Sequence, residues 1–312
     1  MKSVLDLEQL REAGVIDEAL YATLKAHAGR GVGTLALNIL TGFGVVAVIF
    51  GALALVPDPR TAIGLGLAIG LLGGLLVRRG PEEWRLLGQT CLMIGALMFG
   101  GGVVYMLRGT GLRGTFVALA ALFAVASVLA RSALLAVLAV FLIAASVGAG
   151  TMYGHAMYVL VVRAPAITVL LFTVLGVALY QWSKVLRPEF ERLAIAAARA
   201  CVVWVNFGFW VGSLWGDGRR YNVAVWVPEW VFTIGWAVAL IVVAVWAWSR
   251  GRSWVVNAAA TFGAIHFYTQ WFEALGAHPG SVLAAGVIAL ALVFAMRALN
   301  RRMGERGPDP AG

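Results

Sequence analysis

Apolar residues gather in ten runs between Thr34 and Met296, each of roughly membrane-spanning length, and polar residues are confined largely to the gaps. The runs are continuous rather than alternating, which is the pattern of buried or lipid-embedded helices and not of half-buried strands. They cover 34 to 56, 61 to 77, 86 to 107, 114 to 130, 132 to 150, 164 to 182, 194 to 215, 228 to 248, 253 to 274 and 279 to 297. About 20 apolar residues rising about 1.5 Å each match a hydrocarbon core of about 30 Å, and in lipid the backbone must satisfy its hydrogen bonds within helices or a closed barrel. The pattern therefore predicts an all-α, polytopic transmembrane helix bundle.

The junction at Arg131 and Ser132 is the weakest of the nine, because 114 to 150 also reads as one long helix. The basic residues decide between the readings. With ten spans and both termini cytoplasmic, 17 Lys and Arg fall inside and six outside, the latter being Arg60, Arg108, Arg113, Arg163, Arg219 and Arg220, with Arg199 inside a span. Fusing the fourth and fifth spans inverts everything downstream and leaves 10 inside against 12 outside. Only the ten-span reading keeps the positive-inside bias. Trp84, Trp182, Trp246, Trp248 and Trp254 then lie near the inner interface, and Trp215, Trp226, Trp230, Trp271 and Tyr221 near the outer one. That distribution is an aromatic belt, and it argues for no cofactor.

Composition excludes a water-soluble fold: of 312 residues 61% are hydrophobic and 12% charged, with a mean hydropathy of +0.88. The net charge of +9 does not point to nucleic acid, since the basic residues are scattered through the loops rather than massed on one face. They fit a lipid bilayer and the anionic head groups of its cytoplasmic leaflet, with Arg199 long enough to snorkel back to that interface. Cys91 and Cys201 fall inside expected spans as packing residues. The first apolar run starts only at residue 34, behind Asp6, Glu8, Glu12, Asp17 and Glu18, so it is expected to stay as an anchor rather than be cleaved.

Residues 1–33 form the one sizeable polar segment and read as a cytoplasmic helical hairpin. Gly14 ends its first helix, Asp17 caps its second, and Gly29, Gly31 and Gly33 make a flexible joint. Such a hairpin suits a cytoplasmic protein partner or the membrane surface, but it has too little core and too acidic a start for a DNA-binding helix-turn-helix. The bundle proper occupies 34–299, and 300–312 reads as a disordered tail. Ala62, Gly66, Gly70 and Gly74 form a small-residue stripe for close helix packing within the chain, or between two copies in a homo-oligomer. Gly100, Gly101 and Gly102 mark a kink site, and no matching cluster in the eighth span supports an inverted repeat.

Gly109, Gly111 and Gly114 fit a dinucleotide-type glycine pattern, but they follow a membrane helix instead of a strand. No phosphate-binding lysine loop, zinc-helix motif, paired cysteines or serine nucleophile motif occurs, and His155 and His278 lack ligand spacing. No enzyme site, metal site or cofactor is therefore expected. The ninth span departs from the apolar rule. His266, Gln270 and Glu273 recur at i, i+4 and i+7 with Thr269 beside them, so they share one face in the outer half of the helix. Polar groups in a span face the bundle interior or a water-filled cavity, so this face is either an outward-opening vestibule for a polar solute or interhelical hydrogen-bonding glue. Asn206, near mid-depth in the seventh span, is placed to join it.

The segment IGALMFGGGVVYMLRGTGLRGTFVALAALFAVASVLARSALLAVLAVFLIAA resembles a family of bacterial multi-span membrane proteins classed as a domain of unknown function. The N-terminal LREAGVIDEALYATLKAH and the closing FYTQWFEALGAHPGSVLAAGVIALALVFAMRALNRR are similar to that family too, whereas GALALVPDPR stands where the family has an Asn-Trp turn. The resemblance implies a bacterial cytoplasmic (inner) membrane location and supplies no catalytic residues. On the residues themselves, the leading expectation is permeation or transport of a small solute, and the rival is a non-transporting accessory or scaffold protein.

Overall fold

The computed structural model describes residues 57–81, 84–154, 157–217 and 227–305, with scattered positions between 11 and 51. The first expected span, most of the N-terminal hairpin, the loop around Tyr221 and the end of the tail lie outside the described residues. Among the described residues from 59 onward there are nine helices and one hairpin. They are α1 (Pro59–Arg79), α2 (Arg85–Met106), α3 (Leu112–Ala130), α4 (Ala133–Ser146), β1 (Ala149–Gly154), β2 (Met157–Val162), α5 (Pro165–Ser183), α6 (Pro188–Trp215), α7 (Glu229–Ser249), α8 (Ser253–Leu275) and α9 (Pro279–Glu305). Six of them, α1, α2, α3, α5, α6 and α7, are long and apolar enough to cross a membrane. Their outer faces carry bare apolar side chains, such as Leu71 and Leu75 on α1, Val125 and Leu129 on α3, and Ile241 and Val245 on α7. Apolar surface of that extent belongs against lipid, and the chain is a membrane protein.

Local sequence explains where the helices begin and end. Asp58 caps α1 by accepting a hydrogen bond from the Arg60 amide at 2.7 Å, Pro59 occupies the first turn, and Arg78 and Arg79 sit against the negative end of the helix dipole. Pro165 and Pro188 open α5 and α6 in the same way. Gly216 and Gly276 follow α6 and α8 at φ 66° and 71°, in the region glycine adopts without strain. Between α3 and α4 the break falls at Arg131, which takes a left-handed conformation at φ 50° and donates its amide back to the end of α3. Segment 114 to 150 is thus two helices. In the N-terminal segment Gly14 has φ 68° and the Asp17 carboxylate accepts the Leu20 amide at 2.7 Å.

Three expectations are corrected. The fifth span, 132 to 150, is cut short: α4 has 14 residues, about 21 Å at about 1.5 Å per residue. Residues 149–162, expected as span end and loop, instead pair Ala149 with Val162 through Gly154 with Met157 in an antiparallel hairpin, so the fold is helical with one two-stranded element. Tyr158, Val159, Val161 and Val162 are strand-favouring residues, and the ladder satisfies backbone groups that a loop would leave open. The third correction concerns the tail, since α9 runs on to Glu305, past the boundary set at 299.

The chain divides into two compact units, Met1–Leu142 and Ile143–Gly312. In the first, α1 packs along α2 at backbone contact. A Cβ on Gly66 would meet the Phe99 amide and Gly95 carbonyl, one on Gly73 the Leu92 amide and Gly88 carbonyl, and one on Gly95 the backbone of Gly70. Gly74, placed in the expected stripe, would meet only a Leu92 methyl at 3.9 Å. Seven residues bring an α-helix back to within about 20° of the same face, whereas eight overshoot by roughly 80°. Gly73 therefore takes the position in the contact that the four-residue spacing gave to Gly74. In the second unit α6 is the central element, packed against both α5 and α7, while α8 packs on α7 and α9.

Candidate functional site

The polar residues of the second unit converge where α6, α7 and α8 meet. Asn206 lies about two-thirds of the way along α6 and is 8% exposed, with both ends of its amide engaged. Its Nδ2 donates to the Val202 carbonyl one turn back at 2.8 Å, and its Oδ1 accepts from the indole Nε1 of Trp236 on α7 at 2.9 Å. Trp236 is 1% exposed, stacked on Phe209 on one side and meeting the His266 ring of α8 edge-on at 4.8 Å. One indole thus joins three helices, and it links Asn206 to His266. A second cross-link lies further along α8, where Thr269 Oγ1 accepts from Trp210 Nε1 at 2.9 Å.

Beyond these bonds α8 carries polar atoms that no described residue meets. His266 Nδ1, Gln270 Nε2 and Trp271 Nε1 are buried and have no hydrogen-bond partner among the described residues. His266 and Gln270 are one turn apart on one face, with Trp271 adjoining. Glu273 is exposed and stands apart from this buried set. The expected face therefore divides in three: Thr269 and Asn206 are engaged in bonds between helices or along one, His266 and Gln270 hold open valences, and Glu273 lies at the surface.

Sequence reasoning passed over Trp236 and Asp217. Trp236 lies mid-span in α7, away from either aromatic belt, and an indole N–H at that depth calls for an acceptor. Asp217 is fully buried beyond the end of α6, and its Oδ2 accepts from the Ala166 amide at 3.3 Å in the first turn of α5. It holds the start of one helix to the end of another. His278 is likewise structural, since its Nδ1 accepts the Ser281 amide at the start of α9. No three His, Cys, Asp or Glu side chains converge as metal ligands among the described residues.

Toward the opposite end of the same helices lies a cavity of about 770 Å³ walled by α5, α6, α7 and α8. Asn206, Phe209 and Trp236 close its deep end, and Arg199, Arg252, Tyr180 and Trp254 stand at the other. The Arg199 guanidinium lies 4.7 Å over the Trp254 ring, and that of Arg252 lies 5.9 Å from the Tyr180 ring. The walls between are mostly Val, Leu, Ile, Ala and Phe, with Thr173, Gly176 and Trp246 among them.

Comparison with protein-family models, curated proteins and solved structures finds nothing that matches this chain, so its function is argued from its own residues.

Proposed function

We propose that the chain is a ten-span protein of the bacterial cytoplasmic membrane, with both termini inside, that passes a small polar solute through an outward-facing vestibule lined by His266 and Gln270. The observation that carries this reading is the set of buried atoms on α8 without a partner among the described residues, His266 Nδ1, Gln270 Nε2 and Trp271 Nε1. A buried polar atom without a partner costs about 1–3 kcal/mol, and native proteins rarely keep several side by side unless water or a ligand meets them. Three on adjoining positions of a membrane helix favour a polar guest over packing. The Trp236 and Asn206 pair, which divides this patch from the apolar cavity behind it, acts as the plug between outer and inner sides.

The rival reading is a scaffold protein whose polar residues only hold helices together, and it draws on the Trp210–Thr269 and Trp236–Asn206 bonds. Accessibility separates the two. In a background carrying Cys91→Ala and Cys201→Ala, single cysteines replacing His266, Gln270 and Glu273 are labelled in intact cells with a membrane-impermeant thiol reagent. The vestibule predicts labelling at all three positions, and protection at both 266 and 270 with labelling at 273 overturns it in favour of the scaffold.

A further inference from the structure

We infer that the cavity between α5, α6, α7 and α8 is a binding site for one anionic membrane phospholipid, with an acyl chain inside and the phosphate between Arg199 and Arg252. This site requires only that the bundle lie in a bilayer, and it stands whether or not the vestibule conducts a solute. Its volume of about 770 Å³ falls within the range of about 300–1,000 Å³ typical of pockets that enclose a small molecule. Measured along α6, Arg199 and Phe209 lie ten residues apart, about 15 Å at about 1.5 Å per residue and so half of a hydrocarbon core of about 30 Å. An acyl chain that reaches the bilayer midplane has the same length.

The distribution of polarity along the cavity selects the ligand. At the deep end the Asn206 amide donates to Val202 and accepts from Trp236, so its polarity is largely met within the bundle, and Thr173 adds a single hydroxyl to the wall. Val169, Phe172, Val202 and Leu240 give it apolar walls. At the other end stand two guanidinium groups, and no acidic residue among the described residues lines the cavity. Neither arginine has a carboxylate partner among the described residues; each instead lies near an aromatic ring. Guanidinium groups match phosphate oxygens in geometry and charge, and basic pockets between membrane helices hold acidic head groups. An apolar guest alone would leave both cations unanswered, and free phosphate would leave the apolar walls unfilled.

Native mass spectrometry of the full chain in mild detergent tests the site, with phosphatidylglycerol and phosphatidylcholine of identical acyl chains added in competition and inorganic phosphate added separately. The expected result is one retained phosphatidylglycerol with about a tenfold preference over phosphatidylcholine, and no retention of inorganic phosphate. The pair R199Q and R252Q removes that preference, whereas the charge-matched pair R78Q and R79Q leaves it intact. A239F, which fills the wall of the cavity, removes retention of both lipids, and an unchanged elution volume in size-exclusion chromatography verifies that each variant remains folded. Retention of neither lipid by the native chain, the result if another protein segment fills the cavity, overturns the proposal. So do equal retention of the two and a preference that survives in R199Q/R252Q. Failure of the vestibule leaves this measurement unchanged, because positions 266 and 270 do not line the cavity.

Discussion

Trp236 and Asn206 are the residues on which the second unit turns, since a single N–H···O bond between them holds α7 to α6 at mid-depth. Interhelical polar bonds in membrane proteins contribute about 0.6 kcal/mol on average and up to about 1.7 kcal/mol, because the separated helices find other partners. The burial of both residues places this pair toward the upper value. W236F is expected to destabilise the protein by about 1–2 kcal/mol, leaving the Asn206 carbonyl oxygen open, and N206L in the same chain should recover part of that loss. A double-mutant cycle on unfolding in detergent measures the coupling, and zero coupling would show the bond to be incidental. His266, Gln270 and Asn206 could be singled out in the sequence because polar residues stand out against an apolar span. Which of them had a partner could not, since Trp236 comes from another helix 30 positions away.

At the scale of the element, α1 and α2 form a glycine zipper with a seven-residue step. Pro59, Gly66 and Gly73 on α1 meet Gly102, Gly95 and Gly88 on α2 in antiparallel register. A Cβ at Gly95 would run into the backbone of Gly70, whereas one at Gly74 meets only ordinary van der Waals contact. G95A is therefore expected to cost about 1–3 kcal/mol through overpacking. G74A should be neutral, or stabilise by up to about 1 kcal/mol through helix propensity. Thermal unfolding of the two variants in one detergent compares them directly, and equal midpoints would contradict the packing described. A four-residue search of the sequence found Gly66 and Gly70 but slid to Gly74, because spacing of four drifts around the helix while seven nearly closes. The β1–β2 hairpin escaped for a different reason. Its apolar residues continue the hydropathy of α4, and only the pairing of Ala149 with Val162 distinguishes strand from span.

For the whole molecule, the proposed topology rests on the bias of basic residues, with six helices of spanning length as its structural core. Reporter fusions following Arg187 and at Arg219 are expected to report cytoplasmic and external locations respectively. An external signal at Arg187 would overturn the ten-span proposal and invert the second unit. The same measurement bears on α4, whose 14 residues reach about 21 Å, so the β1–β2 hairpin follows a helix shorter than a full span. The break at Arg131 was legible in advance because charge asymmetry is additive along the chain and needs no tertiary contact.

Taken alone, the sequence determined what depends on transfer from water to lipid and on local backbone chemistry. The apolar runs, the caps at Asp58 and Gly216, and the split between α3 and α4 all follow from residues within a few positions of one another. Tertiary structure alone decided which faces meet: the Gly66–Gly95 approach, the Asn206–Trp236–His266 chain, and the cavity that opens between Arg199 and Arg252. The physical reason is that in a bilayer a helix face turned to lipid and one turned to another helix are equally apolar. The contrast that marks a buried face in a water-soluble protein is then missing from the sequence, and partners are selected by shape and by a few polar bonds between distant segments.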